Sequence, residues 1–214
     1  MQNTFYAKST IFVYMQQKSI SILSKTISKL PGLGPRIAKK IVLNLALNKE
    51  KTLIPLIQQL QDIYHKVQHC NICGNLDESP ICNICNNHNR DQQTVCIVEE
   101  VADLWAIERI NVYQGCFHVL GGNLCALSGK TPTSLNINNL FNRLQQQQFK
   151  EIIIATSATI NGQNTANFIV DQIQQMHLNC KITRLAYGIP VGSELDYLDD
   201  GTLSIALLSR KDFD

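Results

Sequence analysis

Four cysteines stand at a spacing that can do chemistry by itself, Cys70-x2-Cys73-x8-Cys82-x2-Cys85. Each CxxC lets two thiolates converge on one ion from a tight turn, and two such turns complete a tetrahedron of four sulfurs around zinc. With all four positions filled by protein, no coordination site is open to a substrate, so the expected cofactor is one structural Zn2+ per chain. The intervening Gly74, Pro80 and polar residues give this segment little apolar material of its own. Metal then replaces a core, with apparent binding energies of roughly 10–16 kcal/mol for such sites. His69 and His88 flank the quartet and read as solvated neighbours. A disulfide or redox role would need an oxidising compartment or a strand–CxxC–helix setting, and neither is indicated. Cys96, Cys116, Cys125 and Cys180 lie in apolar or mixed segments and read as small core residues.

A second constellation is Leu30-Pro31-Gly32-Leu33-Gly34-Pro35-Arg36-Ile37-Ala38. Gly32 and Gly34 permit a tight turn whose backbone can approach another backbone closely. Pro35 suits the first position of a helix, where its missing N–H costs nothing. Such a turn delivers free N–H groups at a helix N-terminus, where the dipole favours phosphate. Arg36, Lys39 and Lys40 fall in that helix's first two turns. Contacts of this kind hold phosphates and read no sequence. The pattern is the helix–hairpin–helix of non-specific DNA-binding proteins, with an ordinary Gly/Pro-rich helix connection as the plainer reading.

A third feature is acidic. Val95-Cys96-Ile97-Val98-Glu99-Glu100 puts carboxylates at the C-terminal end of a strand, where open parallel sheets bind ligands. Toprim domains of topoisomerases and primases carry a glutamate there and an Asp-x-Asp pair after a later strand, which together hold Mg2+. Here the later strand, Ile152-Ile153-Ile154-Ala155, is followed by Thr156-Ser157-Ala158-Thr159-Ile160-Asn161-Gly162-Gln163, without a carboxylate. A phosphoryl-transfer site needs several convergent oxygens, and none assembles. Glu99 is left as a structural or partner-facing acid or as a metal ligand. Ser128-Gly129-Lys130-Thr131 resembles the end of a phosphate-binding loop. Leu124 occupies the place of the required first glycine, however, and Pro132 breaks the helix that should follow, so nucleotide binding there is rejected.

The elements that must position these groups follow from periodicity. Apolar positions at helical spacing predict helices over 17–29 (Ile20, Leu23, Ile27), after Pro35 (Ile37, Ile41, Val42, Leu45) and over 52–67 (Leu53, Leu56, Ile57, Leu60, Ile63, Tyr64). Beyond the cysteines, short apolar runs at 94–98, 117–120, 151–155 and 181–186 predict strands. They alternate with helices over 103–110, 137–148 and 165–176. Strands alternating with helices imply a mostly parallel sheet. The fold class is α plus α/β, a helical hairpin unit and a zinc knuckle followed by a mostly parallel α/β sheet.

Charge divides the 214 residues in the same way. Residues 1–69 hold ten Lys/Arg against Glu50 and Asp62, whereas residues 70–214 hold nine basic and fifteen acidic side chains. A basic third on a mildly acidic body suggests a polyanion-binding module joined to a different domain, against the plainer reading of a solvated basic surface. Hydrophobic residues at 44% suffice for a packed core. No run reaches the roughly 20 apolar residues of a membrane span, and the first residues show no secretory pattern.

Taken in order, these motifs resemble the RecR family of bacterial recombination and repair proteins, from about Ser19 to the C-terminus. Further matching segments are Val98-Glu99-Glu100-Val101-Ala102-Asp103, Ala106-Ile107-Glu108-Arg109, His118-Val119-Leu120-Gly121-Gly122 and Gly188-Ile189-Pro190-Val191-Gly192. Residues 1–14 show no clear period and read as a short extension, with Met15 a possible start. The resemblance implies a helix–hairpin–helix domain at 15–67. It implies a C4 zinc finger at 68–90, a Toprim domain at 93–188 and a C-terminal strand/helix extension at 189–214. It implies a non-enzymatic, cytoplasmic, nucleoid-associated DNA-binding mediator that assembles as a ring-shaped tetramer. RecO and RecF would be its partners in loading recombinase at single-stranded gaps. DNA contacts would fall on Gly32, Gly34, Arg36, Lys39 and Lys40, and partner contacts on Glu99 and Asp103. The alternative is a small Mg2+-dependent Toprim enzyme, a nuclease or a primase-like protein. One departure bears on both. The family usually reads Asn-Pro-Thr-Val-Glu-Gly-Glu-Ala-Thr after the third strand of the sheet, and here Asn161 and Gln163 stand where its two glutamates would be.

Overall fold

The computed structural model describes residues 18–186 and 188–209. The expected extension at 1–14 and the possible start at Met15 lie outside the described residues. The chain folds as two compact units, Met1–Lys66 and Val67–Asp214.

In the first unit, α1 (Lys18–Ile27) and α2 (Pro35–Leu47) form a hairpin, followed by a π turn at Lys49–Leu53 and then α3 (Ile54–Lys66). Helix α2 buries Ala38, Val42 and Leu45, while Ile37 is half exposed. The buried stripe is therefore rotated from the expected one, with the small Ala38 rather than Ile37 turned inward. The expected apolar face of α3 exists, but Leu56, Ile57, Leu60 and Ile63 are all exposed and the helix buries no residue. The π turn carries the chain from 49 to 53, so α3 begins later than the expected 52.

In the second unit, two short strands, β1 (Gln68–His69) and β2 (Leu76–Asp77), pair antiparallel and frame the cysteine knuckle. A four-stranded sheet follows, built from β3 (Asp91–Val98), β4 (Gly115–Val119), β5 (Glu151–Ala155) and β6 (Lys181–Arg184). Its order is β4-β3-β5-β6 and every pair is parallel. Helices α4 (Val101–Arg109), α5 (Ile137–Gln146) and α6 (Ile160–Gln175) make the crossovers. The expected parallel α/β sheet is thus present.

The central strands are buried on both sides, which is why 95–98 and 152–155 read as unbroken apolar runs rather than alternating ones. Val95 and Ile97 face Leu140, Leu144, Ile169 and Ile173 of α5 and α6. Cys96 and Val98 face Leu104 of α4 with Phe117 and Val119. Successive residues of β3 thus supply two different cores, as the strand's twofold alternation requires. Cys96 and Cys116 are buried core thiols, as expected, whereas Cys125 and Cys180 are only half buried. Helix α6 starts five residues before the expected 165, because Thr159 caps it by accepting the Gly162 N–H and the polar Asn161-Gly162-Gln163 stretch is its first turn. A 3-10 turn at Leu195–Tyr197 and α7 (Asp200–Leu208) end the described chain, with the Asp199 side chain capping α7. No helix among the described residues is long and apolar enough to cross a membrane.

One polar group sits inside this core. His118 on β4 is fully buried and its Nε2 bonds to the Asn136 carbonyl at 2.9 Å, while Nδ1 has no partner. Burial depresses its pKa to about 4. The neutral ring is held by the fold, so the unfolded chain binds a proton near pH 6.5 that the folded chain refuses. Stability contributed by neutral His118 is complete above about pH 6.5 and is lost as pH falls towards 4, by up to about 3 kcal/mol. Denaturant unfolding of the wild type and of His118→Gln across about pH 7.5 to 4.5 checks this. The wild type is expected to lose more stability on acidification than the variant, since zinc-ligand protonation acts on both alike.

Candidate metal centre and sheet crevice

The knuckle brings the sulfurs of Cys70, Cys73, Cys82 and Cys85 within 4.8 Å of one another. The Cys73 and Cys82 sulfurs are 3.5 Å apart. Zinc–sulfur bonds of about 2.3 Å give a tetrahedral edge of about 3.8 Å, so the cage fits Zn2+. Cys70, Cys73 and Cys82 are buried, with Cys85 partly so. Backbone amides already point at the sulfurs, Cys82 N–H to Cys70 Sγ at 3.3 Å and Asn75 N–H to Cys73 Sγ at 3.4 Å. These donors suit thiolates rather than thiols.

Three of the sulfurs resist shedding their protons together. Hydrogen bonding from Cys73 holds the Cys82 thiol far below its ordinary pKa. Hydrogen bonding to Cys82 pushes Cys73 up, and hydrogen bonding to Cys73 pushes Cys85 up. Of these three, Cys82 ionises readily while Cys73 and Cys85 resist, a conflict that a divalent ion resolves. His69 stands apart from the four ligands, with Nδ1 at 3.1 Å from the Gly74 carbonyl.

The knuckle is also tied to the sheet. The Val119 N–H of edge strand β4 donates to the Cys73 carbonyl at 2.7 Å. Gly74 has a φ of +78°, and a side chain there would press on Val119 and Asn136. Metal removal is expected to melt the 67–87 segment, whose core is little more than its cysteines. The parallel sheet, with its two larger cores, should persist at a lower thermal midpoint. One zinc per chain by elemental analysis, and a lower midpoint after chelation or in Cys73→Ser, check this. Acidification should release the metal, because the ligands must be deprotonated to bind.

The second candidate lies where the sheet changes direction. β3 is followed by β4 on one side and by β5 on the other, so the ligand crevice of a doubly wound sheet falls beyond the ends of β3 and β5. Glu99 fills it. Its Oε1 accepts from the Ser157 N–H at 2.8 Å and the Ser157 hydroxyl at 3.0 Å, and its Oε2 accepts from the Asn123 amide at 3.1 Å. Its backbone carbonyl accepts from both Gly121 and Gly122. The residue is 8% exposed.

Glu99, expected as a partner contact, has its carboxylate turned inward and engaged by its own sheet. Asp103 is exposed, and its carboxylate accepts the Glu100 N–H at 2.9 Å, closing the first turn of α4.

The Mg2+ implied by the Toprim class does not fit this crevice. Glu99 has committed its oxygens, and the loop after β5 supplies Ser157, Thr159, Asn161 and Gln163 instead of acids. Gln163 donates its amide to the Ala158 carbonyl at 3.1 Å, a bond that an ionised glutamate could not make. Among the described residues, the cysteine quartet is the one group of three or more His, Cys, Asp or Glu placed to hold a metal.

Gly162 makes the latch possible. A Cβ there would run into the Ser157 carbonyl and hydroxyl and lie 2.7 Å from Glu99 Oε1. Gly162→Ala is expected to cost on the order of 1–3 kcal/mol of stability, as overpacking does. Millimolar Mg2+ should leave the thermal midpoint of the wild type unchanged. Scanning calorimetry reads both.

In the first unit, Arg36, Lys39 and Lys40 are exposed on the first two turns of α2. Gly32 has a φ of +76°, the left-handed turn that a glycine there supplies. Gly34 is the N-cap in extended conformation and no side chain caps the helix. Nothing lies within 4 Å of where a Cβ at Gly34 would be.

Fold and site together define a Toprim-type parallel sheet joined to a four-cysteine zinc knuckle. Residues 67–87 match the family model for the four-cysteine zinc finger domain of RecR. Residues 93–186 match the Toprim domain, and residues 188–211 match the C-terminal segment of RecR. Proteins named Recombination protein RecR are similar over nearly their whole length. That of Neorickettsia sennetsu is 47% identical over 91% of this chain and 98% of its own. That of Novosphingobium aromaticivorans is 44% identical over 92% and 98%, and that of Parvibaculum lavamentivorans 48% over 91% and 96%. The chain belongs to the RecR family.

Sequence reasoning located the ligands and the crevice but missed Ser157, Asn123 and Gly162 as the residues that close it. No spacing rule links positions 99, 123, 157 and 162, which meet only because β3 and β5 are neighbours.

Proposed function

We propose that this protein is a non-enzymatic, DNA-binding mediator of recombinational repair. In this reading the 32–36 turn and the side chains of Arg36, Lys39 and Lys40 grip phosphates without reading sequence. The domain division 15–67, 68–90, 93–188 and 189–214 separates DNA grip, zinc finger, Toprim platform and C-terminal extension. The platform works with RecO and RecF to load recombinase at single-stranded gaps, in the cytoplasm at the nucleoid. Asp103, exposed on α4, is the partner-facing acid. The exposed apolar stripe of α3 supports assembly into a homo-oligomer, a ring-shaped tetramer that encircles DNA.

The observation that carries this reading is the uncapped N-terminus of α2. Gly34 offers no capping side chain, its surroundings are open, and three cations follow within two turns. The backbone N–H groups of Arg36 and Ile37 are therefore left for an outside acceptor, and a phosphate oxygen suits them. The closed Glu99 crevice weighs against the Mg2+-dependent enzyme.

DNA affinity should fall steeply with salt, since each neutralised phosphate contributes about −0.7 to −0.9 to the slope of log K against log salt. Arg36→Glu with Lys40→Glu should weaken binding at moderate salt at least tenfold and flatten that slope by about 2. Fluorescence anisotropy on single- and double-stranded oligonucleotides of unrelated sequence measures both. Unchanged affinity in the double variant would sink the assignment.

A further inference from the structure

Asn75 joins the metal site to α4 by three separate bonds. Its backbone N–H donates to Cys73 Sγ at 3.4 Å, and its backbone carbonyl accepts the Cys70 N–H at 2.7 Å. Its side-chain Oδ1 accepts the indole N–H of Trp105, in the middle of α4, at 3.0 Å. Asn75 is 5% exposed, whereas Trp105 is more than half exposed. The indole therefore reaches from a wet surface to one buried acceptor, rather than packing in a core. Two residues before Trp105 stands Asp103, whose carboxylate closes the helix's first turn.

The other end of α4 is held from the same segment of chain. Arg90 makes a two-pronged ion pair with Glu108, at 2.7 and 2.9 Å, and donates from Nε to the Gly115 carbonyl at 2.9 Å. Arg90 does not touch the sulfurs, so its clamp survives loss of the metal. Asn75 does not have that independence. Two of its three bonds go to backbone or sulfur of metal ligands, and the knuckle around it has a core of cysteines.

We propose that Asn75 is a positioning residue that couples zinc occupancy to α4 through Trp105, so that metal in the knuckle fixes the helix turn carrying Asp103. With metal bound, Cys70 and Cys73 are immobile and hold the Asn75 backbone, which aims Oδ1 at the indole. Without it the turn at 70–75 loosens and Trp105 loses its acceptor, while α4 keeps the Leu104 packing and the Arg90 clamp but not the bond that holds its exposed side to the knuckle. Coupling runs both ways by linkage, so the indole bond also strengthens zinc binding, and slower release is the expected readout of that gain. The proposal rests on the zinc site and not on the assignment of Asp103 as a partner contact.

Trp105 is the single tryptophan of the chain, so tryptophan emission reports the surroundings of this side chain alone. The test uses the full-length protein loaded with zinc. Chelation should change the emission of Trp105 while far-UV circular dichroism retains most of the helix and sheet signal, and stoichiometric Zn2+ should restore it. Release of zinc to a chromogenic chelator should be about tenfold faster in Asn75→Leu and in Trp105→Phe, within the range seen when groups supporting metal ligands are removed. The double variant should be no faster than either single one. Asn75→Asp, which keeps an acceptor oxygen, should release zinc near the wild-type rate. Wild-type emission blind to zinc, or lost only together with the circular dichroism signal, would overturn the proposal. So would wild-type release in Trp105→Phe, which decides the matter alone if Asn75→Leu does not fold. Equal rates for Asn75→Asp and Asn75→Leu would overturn it as well.

Discussion

Four thiolates confined within 4.8 Å of each other are the constraint on which the second unit is organised. Left alone, Cys73 and Cys85 resist ionising beside Cys82. A divalent ion turns that resistance into the strongest local interaction in the chain. The knuckle then becomes a rigid body, and its Cys73 carbonyl can hold the N–H of Val119 on β4. β4 is an edge strand, with unpaired backbone groups that would otherwise invite another chain. The zinc segment covers part of that edge, so it acts as a brace on the sheet more than as an independent finger.

The sheet itself shows how an acidic position can stay while the acids that usually accompany it are absent. A parallel sheet whose strand order reverses at β3 and β5 creates a crevice there whether or not a ligand is needed. In this chain the crevice is filled from within. The Glu99 carboxylate takes an amide, a hydroxyl and a side-chain amide, and Gly162 makes room for it. Asn161 and Gln163, where the family's usual pattern has glutamates, remove like charges from the neighbourhood of Glu99. That exchange lowers the electrostatic cost of burying the one acid that remains. The result is a platform held by hydrogen bonds with no need of a cation.

The first unit is built differently. Its only buried residues on α2 are Ala38, Val42 and Leu45, and α1 and α3 bury none. A unit this small encloses little apolar surface, and much of what it has stays outside on α3. A charged helix start and an apolar helix face on so small a body are both suited to outside contacts, one with a polyanion and the other with protein.

The cysteine spacing, the helical and strand periods and the glycine turn were each legible in the sequence, because each is a local rule about a few consecutive residues. Those rules sufficed for the zinc ligands, the parallel α/β class, the α1–α2 hairpin and the family. They misplaced the buried stripe of α2 and the start of α6, where a small residue and a capped polar turn outweighed the apolar pattern. The inward turn of Glu99 and the bridge from Asn75 to Trp105 were beyond them. Both depend on residues tens of positions apart meeting at hydrogen-bond distance, and only the packing of strands and knuckle decides which distant donors meet which acceptors. The sequence by itself determined which groups could bind metal and phosphate, since that is a matter of residue type and short spacing. The tertiary structure decided which acid turns inward and which faces out, since burial is a property of the assembled sheet.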